Sequence, residues 1–214
     1  MFIKRIMTHN PITIRPEAAV TEAQAVLKRE KIHRLPVVDK TNKLVGIVTE
    51  KDLLYASPSP ATTLNVYEMN DLLSKLHVEK IMSKDVMTIS EDTLVEDAAH
   101  LMMDRNIGGL PVMRGGVLTG IVTESDIFRL FIELFGTRRK GFRIEAVISE
   151  EPGMLAKMTS AIAELGGNII SLGTFPGDDV VSSIVLIKVE DVEKEKLRQS
   201  LVPYVKEMLD FREV

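Results

Sequence analysis

Two Thr-x-x-Asp pairs, Thr49 with Asp52 and Thr123 with Asp126, are the side chains in this sequence best placed to do chemistry. Each pair follows a Gly-Ile-Val run that patterns as a strand and opens a segment that patterns as a helix. At such a junction the hydroxyl and the unpaired N–H groups of the first helical turn face an anion, while the carboxylate accepts from a vicinal diol. Phosphate and ribose suit that combination. The same spacing serves equally to cap the helix, a contribution of about 1 kcal/mol. Bond-making chemistry has less to draw on. The four histidines, His9, His33, His77 and His100, show no metal-ligand spacing, so no metal site is expected, and neither a Gly-x-Ser-x-Gly nor a Gly-x-x-x-x-Gly-Lys-Ser/Thr motif occurs. There is no cysteine, hence no thiolate nucleophile, disulfide or Cys-ligated metal. A non-catalytic protein is expected, with no catalytic residues and no catalytic cofactor.

The elements that must position these pairs come from an internal repeat. Ile6-Met7-Thr8 returns as Ile81-Met82-Ser83, and Thr13-Ile14 returns as Thr88-Ile89, at an offset of about 75 residues. Ile32-His33-Arg34-Leu35-Pro36-Val37 aligns with Ile107-Gly108-Gly109-Leu110-Pro111-Val112, and the block ending at Asp52 aligns with the block ending at Asp126. The second copy is one residue shorter in between, as a hairpin tip tolerates. Each copy predicts a short strand (Ile12 to Ile14; Met87 to Ile89), then an amphipathic helix carrying Ala19, Ala23, Val26 and Leu27, or Leu94, Ala98, Leu101 and Met102. Two strands follow, Leu35 to Val38 with Leu44 to Thr49, and Leu110 to Met113 with Val117 to Thr123, before a closing helix near Asp52 or Asp126.

This duplicated β-α-β-β-α order, with Leu-Pro-Val opening one strand and Gly-Ile-Val-Thr-x-x-Asp closing the next, resembles the CBS motif over roughly residues 2–134. The resemblance implies a sheet-to-sheet pair about a pseudo-twofold axis with two clefts for adenosyl ligands, AMP, ADP, ATP or S-adenosylmethionine. It also implies composite sites. One would join Thr123 and Asp126 to Thr13, Ile14, His33, Arg34 and Pro36; the other would join Thr49 and Asp52 to Thr88, Ile89, Gly108, Gly109 and Pro111. Since Arg34 brings a fork of donors and Gly108-Gly109 brings none, the more phosphorylated ligand is expected beside Arg34, and a looser or empty site beside Gly108. The alternative is that Arg34 is solvated or pairs with a carboxylate while His33 packs on the sheet.

Between the copies, Ser57-Pro58-Ser59-Pro60 is incompatible with a helix, and Ala61 to Leu64 leads to a segment with an apolar stripe at Leu72, Leu73 and Leu76. A packed linker helix and a partner-binding or dimer-contacting arm are the two readings. With the tail that follows, this insert resembles acetoin-utilisation regulatory proteins of the AcuB type.

Beyond a basic hinge at Arg138-Arg139-Lys140 the period changes. Phe142 to Ile148 alternates as a strand, Met154 to Leu165 reads as a helix, and Asn168 to Phe175 with Val180 to Val189 reads as a hairpin. A helix near Glu193 to Leu201 and a strand near Val205 to Arg212 complete βαββαβ. With Glu151-Pro152-Gly153-Met154-Leu155 at the first turn and Gly167-Asn168-Ile169 at the next, this order resembles the ACT domain. Gly153, Met154, Leu155, Asn168 and Ile169 then become candidates for holding a small effector such as an amino acid, because Gly153 lets the backbone approach a ligand and the turn's N–H groups suit a carboxylate. A tight turn in a domain used only for dimerisation is the other reading.

The expected fold class is therefore α+β or α/β, a CBS-domain pair plus a ferredoxin-like ACT domain. The expected division is 1–137 for the pair (motif one about 2–56, linker about 57–76, motif two about 77–135) and 138–214 for the ACT domain. A net charge of −4 gives no overall basic field for nucleic acid or an anionic membrane, and no run reaches the roughly 18 apolar residues of a membrane span. A cytoplasmic ligand sensor is expected, homodimeric by resemblance and acting on an unknown target protein. A ligand-independent dimeric scaffold is the rival. A sensor needs a ligand that favours one arrangement by about 1–3 kcal/mol.

Overall fold

The computed structural model describes residues 1–56 and 65–214. The Ser57 to Leu64 stretch of the expected linker lies outside the described residues. The chain divides into two compact units, 1–127 and 128–214.

In the first unit, repeat one contributes β1 (Thr8–His9), α1 (Val20–Glu30), β2 (Arg34–Val38), β3 (Leu44–Thr49) and α2 (Glu50–Ala56). After α3 (Val66–Lys75), repeat two contributes β4 (Ile89–Ser90), α4 (Val95–Arg105), β5 (Gly109–Arg114), β6 (Val117–Thr123) and the start of α5 (Glu124–Leu134), of which the first unit holds residues 124–127. Strands β2–β3 and β5–β6 are antiparallel hairpins in which Arg34 pairs with Thr49 and Gly109 with Thr123. The tips use Asn42, Gly115 and Gly116, all at positive φ. The strands expected at Ile12–Ile14 and Met87–Ile89 shrink to a parallel bridge of Ile14 with Val37 and the two-residue β4 on β5.

The leader of each repeat crosses to the other repeat. Thr8 and His9 pair with Ile121 and Gly120 on β6, and Ser83 pairs with Ile47 on β3. Phe2 bridges Leu94 as His77 bridges Ala19. The two hairpins are thus stitched by matching contacts, with a glycine and a Met side chain meeting at each seam. A Cβ on Gly46 would lie 2.4 Å from the Met82 sulfur, and one on Gly120 would lie 2.4 Å from the Met7 sulfur. The recurring Ile-Met block is therefore the seam of the pair. Its core in repeat one joins Ile14, Val20, Ala23, Leu27, Leu35, Val37, Val48, Leu53, Leu73 and Val78.

Helix α3 is a packed linker helix. Asn65 accepts from the N–H groups of Tyr67 and Glu68, and Glu68 accepts from the Asn65 N–H, a reciprocal capping box. Leu73 enters the core and Leu76 packs against it, but Leu72 is half exposed and is not part of the buried stripe.

The second unit holds β7 (Phe142–Ser149), α6 (Met154–Glu164), β8 (Asn168–Pro176), β9 (Ser182–Glu190), α7 (Lys194–Leu201) and β10 (Glu207–Glu213). The sheet order is β10-β7-β9-β8, antiparallel throughout. One face buries Ile144, Ala146, Ile148, Val185, Ile187 and Val189 against Met158 and Ile162 of α6 and Leu197 and Leu201 of α7. Strand β9 begins at Ser182, later than expected, because Asp179 ties the turn by accepting from the Val181 N–H at 3.1 Å and the Ser182 hydroxyl at 2.6 Å. Val180 and Val181 stand exposed in that turn. The division at residue 127 also precedes the expected boundary near 138. The carbonyls of Phe135 and Gly136 are taken up by Ser171 and Lys188, which assigns the end of α5 and its following turn to the second unit. No helix among the described residues is long and apolar enough to cross a membrane.

Candidate ligand-binding cleft

In both repeats the Thr-x-x-Asp pair closes the strand-to-helix turn, and in repeat one it does so as a reciprocal capping box. The Thr49 N–H and hydroxyl donate to Asp52 Oδ2 at 2.8 and 2.7 Å, and the Asp52 N–H approaches Thr49 Oγ1 at 3.3 Å. The Thr123 N–H and hydroxyl donate to Asp126 Oδ2 at 2.9 and 2.8 Å, and Asp126 is buried. Capping and ligand binding are therefore not exclusive at Asp52: one carboxylate oxygen holds the turn and Oδ1 takes no hydrogen bond from the described residues.

Asp52 faces a cleft of about 500 Å³. Thr49, Glu50, Lys51 and Asp52 form one wall; Asn106, Ile107, Gly108, Gly109 and Pro111 form the other. Ile47, Ser83, Asp85, Val86 and Met87 complete it from the crossed leader of repeat two. The cleft thus joins Thr49 and Asp52 to Gly108, Gly109 and Pro111. Thr88 and Ile89 are not among its lining residues. Thr88 is exposed and Ile89 is buried. Thr13 and Ile14 behave alike, Thr13 exposed and Ile14 in the core. Parallel pairing turns both isoleucines inward, and ahead of Ile89 it is residues 83 and 85–87 that reach the cleft instead. Pro36 is buried opposite Ile47, and its carbonyl accepts from the Ile14 N–H.

His33 and Arg34 line this same cleft rather than standing apart with Thr123 and Asp126. The hairpin register explains it, because Arg34 pairs across the ladder with Thr49 and shares its side of the strands. The Arg34 guanidinium runs over the glycine pair. A Cβ on Gly108 would lie 2.7 Å from Arg34 Nη2 and 2.8 Å from Glu124 Oε2, and one on Gly109 would lie 2.4 Å from Arg34 Nη1. Burial lowers the pKa of Arg34 and the Glu124 charge holds it up. Gly108-Gly109 makes room for Arg34, which has a carboxylate neighbour in Glu124. His33 remains exposed, with Nδ1 2.8 Å from Glu50 Oε2. Sequence reasoning missed Asn106, Asp85 and the Val86-Met87 step. The repeated Ile-Met block just ahead of residue 85 is the signal that could have found the last two.

In the second unit, Gly153 is the N-cap of α6 at φ 87°, with open space where a Cβ would stand. Met154, Leu155 and Ile169 pack against the core, and Asn168 donates to Glu190 at 2.8 Å. The Gly153 carbonyl accepts from the Lys157 N–H at 3.0 Å as α6 begins.

Two β-α-β-β-α repeats that exchange leaders and enclose a cleft between one repeat's Thr-x-x-Asp and the other's Gly-Gly-x-Pro define a tandem-repeat module. The CBS domain family model matches residues 3–59 and 78–133, more than half of the chain, and the chain belongs to the CBS-domain family. Residues 134–214 lie beyond the matched residues. Among solved structures, the chain is similar to a putative acetoin utilization protein (AcuB) from Vibrio cholerae, at 28% identity and TM-score 0.54, covering 64% of this chain and 95% of that one. It is also similar to the CBS domain pair of protein MJ0100 in complex with 5-methylthioadenosine and S-adenosyl-L-methionine, at 34% identity and TM-score 0.52, covering 65% and 98%. CBSX2 in complex with AMP is 28% identical with TM-score 0.51, covering 64% and 98%.

Proposed function

We propose that this chain is a non-catalytic sensor that binds an adenosyl nucleotide in the cleft between Thr49–Asp52 and Gly108–Gly109. The observation that carries the reading is the cleft itself. Its volume of about 500 Å³ suits a small molecule. Ile47, Val86, Met87, Ile107 and Pro111 offer an apolar slot for adenine, Asp52 Oδ1 an acceptor for ribose hydroxyls, and Lys51 with Arg34 cations for a phosphate or carboxylate tail. The complexes of the similar CBS pair with S-adenosyl-L-methionine and of CBSX2 with AMP support the ligand class. In this reading the C-terminal unit is an ACT domain, supported by its βαββαβ order and β10-β7-β9-β8 sheet, with a small amino-acid-like effector at the Gly153 turn. The likeness to the Vibrio cholerae protein supports a regulatory role of the acetoin-utilisation kind. Exposed Leu54 and Tyr55 on α2 of the first unit support a homodimer through an apolar contact.

Calorimetric titration of the nucleotide-free full chain with AMP, ATP and S-adenosylmethionine tests the reading, beside the double variant Asp52→Ala, Asp126→Ala. Saturable binding that the variant loses is the expected result. No binding of any of the three would replace it with the scaffold reading.

A further inference from the structure

A second cavity, of about 190 Å³, lies in the C-terminal unit and is lined by Phe135, Thr137, Arg143, Leu186, Lys188 and Val214. It sits on the sheet face opposite α6, because Arg143, Leu186 and Lys188 alternate with the core residues Ile144, Ile187 and Val189. Lys188 is 4% exposed. Its Nζ donates to the Gly136 carbonyl at 3.0 Å, and among the described residues no carboxylate lies within ion-pair distance of it. The neighbouring charges are already matched. Arg143 reaches Asp210 and Glu145 at 2.8 Å each, and Glu190 is held by Arg139 and Asn168. An ammonium buried without a counter-charge is costly, and an ammonium has three donors of which Gly136 takes one. The two remaining donors and an apolar wall of Phe135, Leu186 and Val214 border the same space.

We propose that this cavity binds a short-chain carboxylate, its oxygens on the Lys188 ammonium and its alkyl chain against Phe135, Leu186 and Val214. With about 30 Å³ for one water in the liquid, the cavity admits about six non-hydrogen atoms, the size of butyrate. The site is distinct from the Gly153 turn and does not depend on the nucleotide reading.

The experiment is a titration of the full chain with butyrate and with its neutral isostere butyramide, followed by amide chemical shifts. Saturable shifts at Gly136, Thr137 and Lys188 are expected with butyrate, and butyramide should bind at least about tenfold more weakly. Lys188→Met should abolish the preference. Leu186→Phe, which fills the cavity and leaves the ammonium in place, should abolish binding of both, so the proposal does not rest on a variant that could fail to fold. Equal affinity for butyrate and butyramide, or shifts that avoid Gly136 to Lys188, would overturn it.

Discussion

Replacing Asp52 separates its two duties. In the wild type Oδ2 accepts from the Thr49 N–H and hydroxyl at 2.8 and 2.7 Å, while Oδ1 takes no hydrogen bond from the described residues and the side chain lines the cleft. Asp52→Ala removes both capping contacts, a loss of about 1–2 kcal/mol. In a chain of this size each kcal/mol lowers the melting temperature by about 2–4 °C. Asp52→Asn keeps an oxygen for Thr49 and should melt within about 1 °C of wild type. It gives up the charged acceptor for the ribose diol, a charge-assisted contact of about 1.5–3 kcal/mol, so affinity should fall about 10- to 150-fold. Differential scanning fluorimetry and calorimetric titration with AMP and S-adenosylmethionine read the two effects apart. If Asp52→Asn bound both ligands like wild type while Asp52→Ala only melted lower, the pair would be a cap and nothing more.

Gly109→Ala should destabilise the first unit by about 1–3 kcal/mol, because its Cβ would stand 2.4 Å from Arg34 Nη1 and 3.0 Å from the Val122 carbonyl; combining it with Arg34→Ala should recover part of that loss in urea denaturation, since the Val122 contact remains. In the second unit, the hydrogen bond from Arg212 holds the Asp210 carboxyl below its ordinary pKa, opposed by burial and reinforced by the charges of Arg212 and Arg143. Its stabilisation should be present above an unfolded Asp pKa of about 3.9 and be lost as pH falls through the lower folded value. Thermal melts between neutral and strongly acid pH should show a shallower acid loss for Asp210→Asn than for wild type.

Much of this was legible in the sequence because the signals were local. The Leu35–Val38 and Leu44–Thr49 hairpin has strict strand composition and a polar tip, and the α1 and α4 segments carry apolar residues at helical spacing. Thr49–Asp52 and Thr123–Asp126 stood out because they occurred twice at one spacing. What escaped was what distant segments decide. The crossing of Thr8–His9 and Ser83 to the opposite hairpin depends on Gly46 and Gly120 admitting Met82 and Met7, which no local pattern reveals. Arg34 was expected with Thr123, but its cross-strand partner Thr49 and the room over Gly108-Gly109 carry it into the other cleft. Ile14 and Ile89 looked like cleft residues by repeat position; a parallel bridge to Val37 turns Ile14 inward, and the two-residue parallel pairing of β4 with β5 does the same for Ile89.

A crystal structure of the chain grown with S-adenosylmethionine or AMP tests the central claim most directly. Ribose hydroxyls on the Asp52 carboxylate, with the ligand lying between Thr49 and Gly108-Gly109, is the predicted result; ligand density elsewhere on the chain, with this cleft empty, would contradict it.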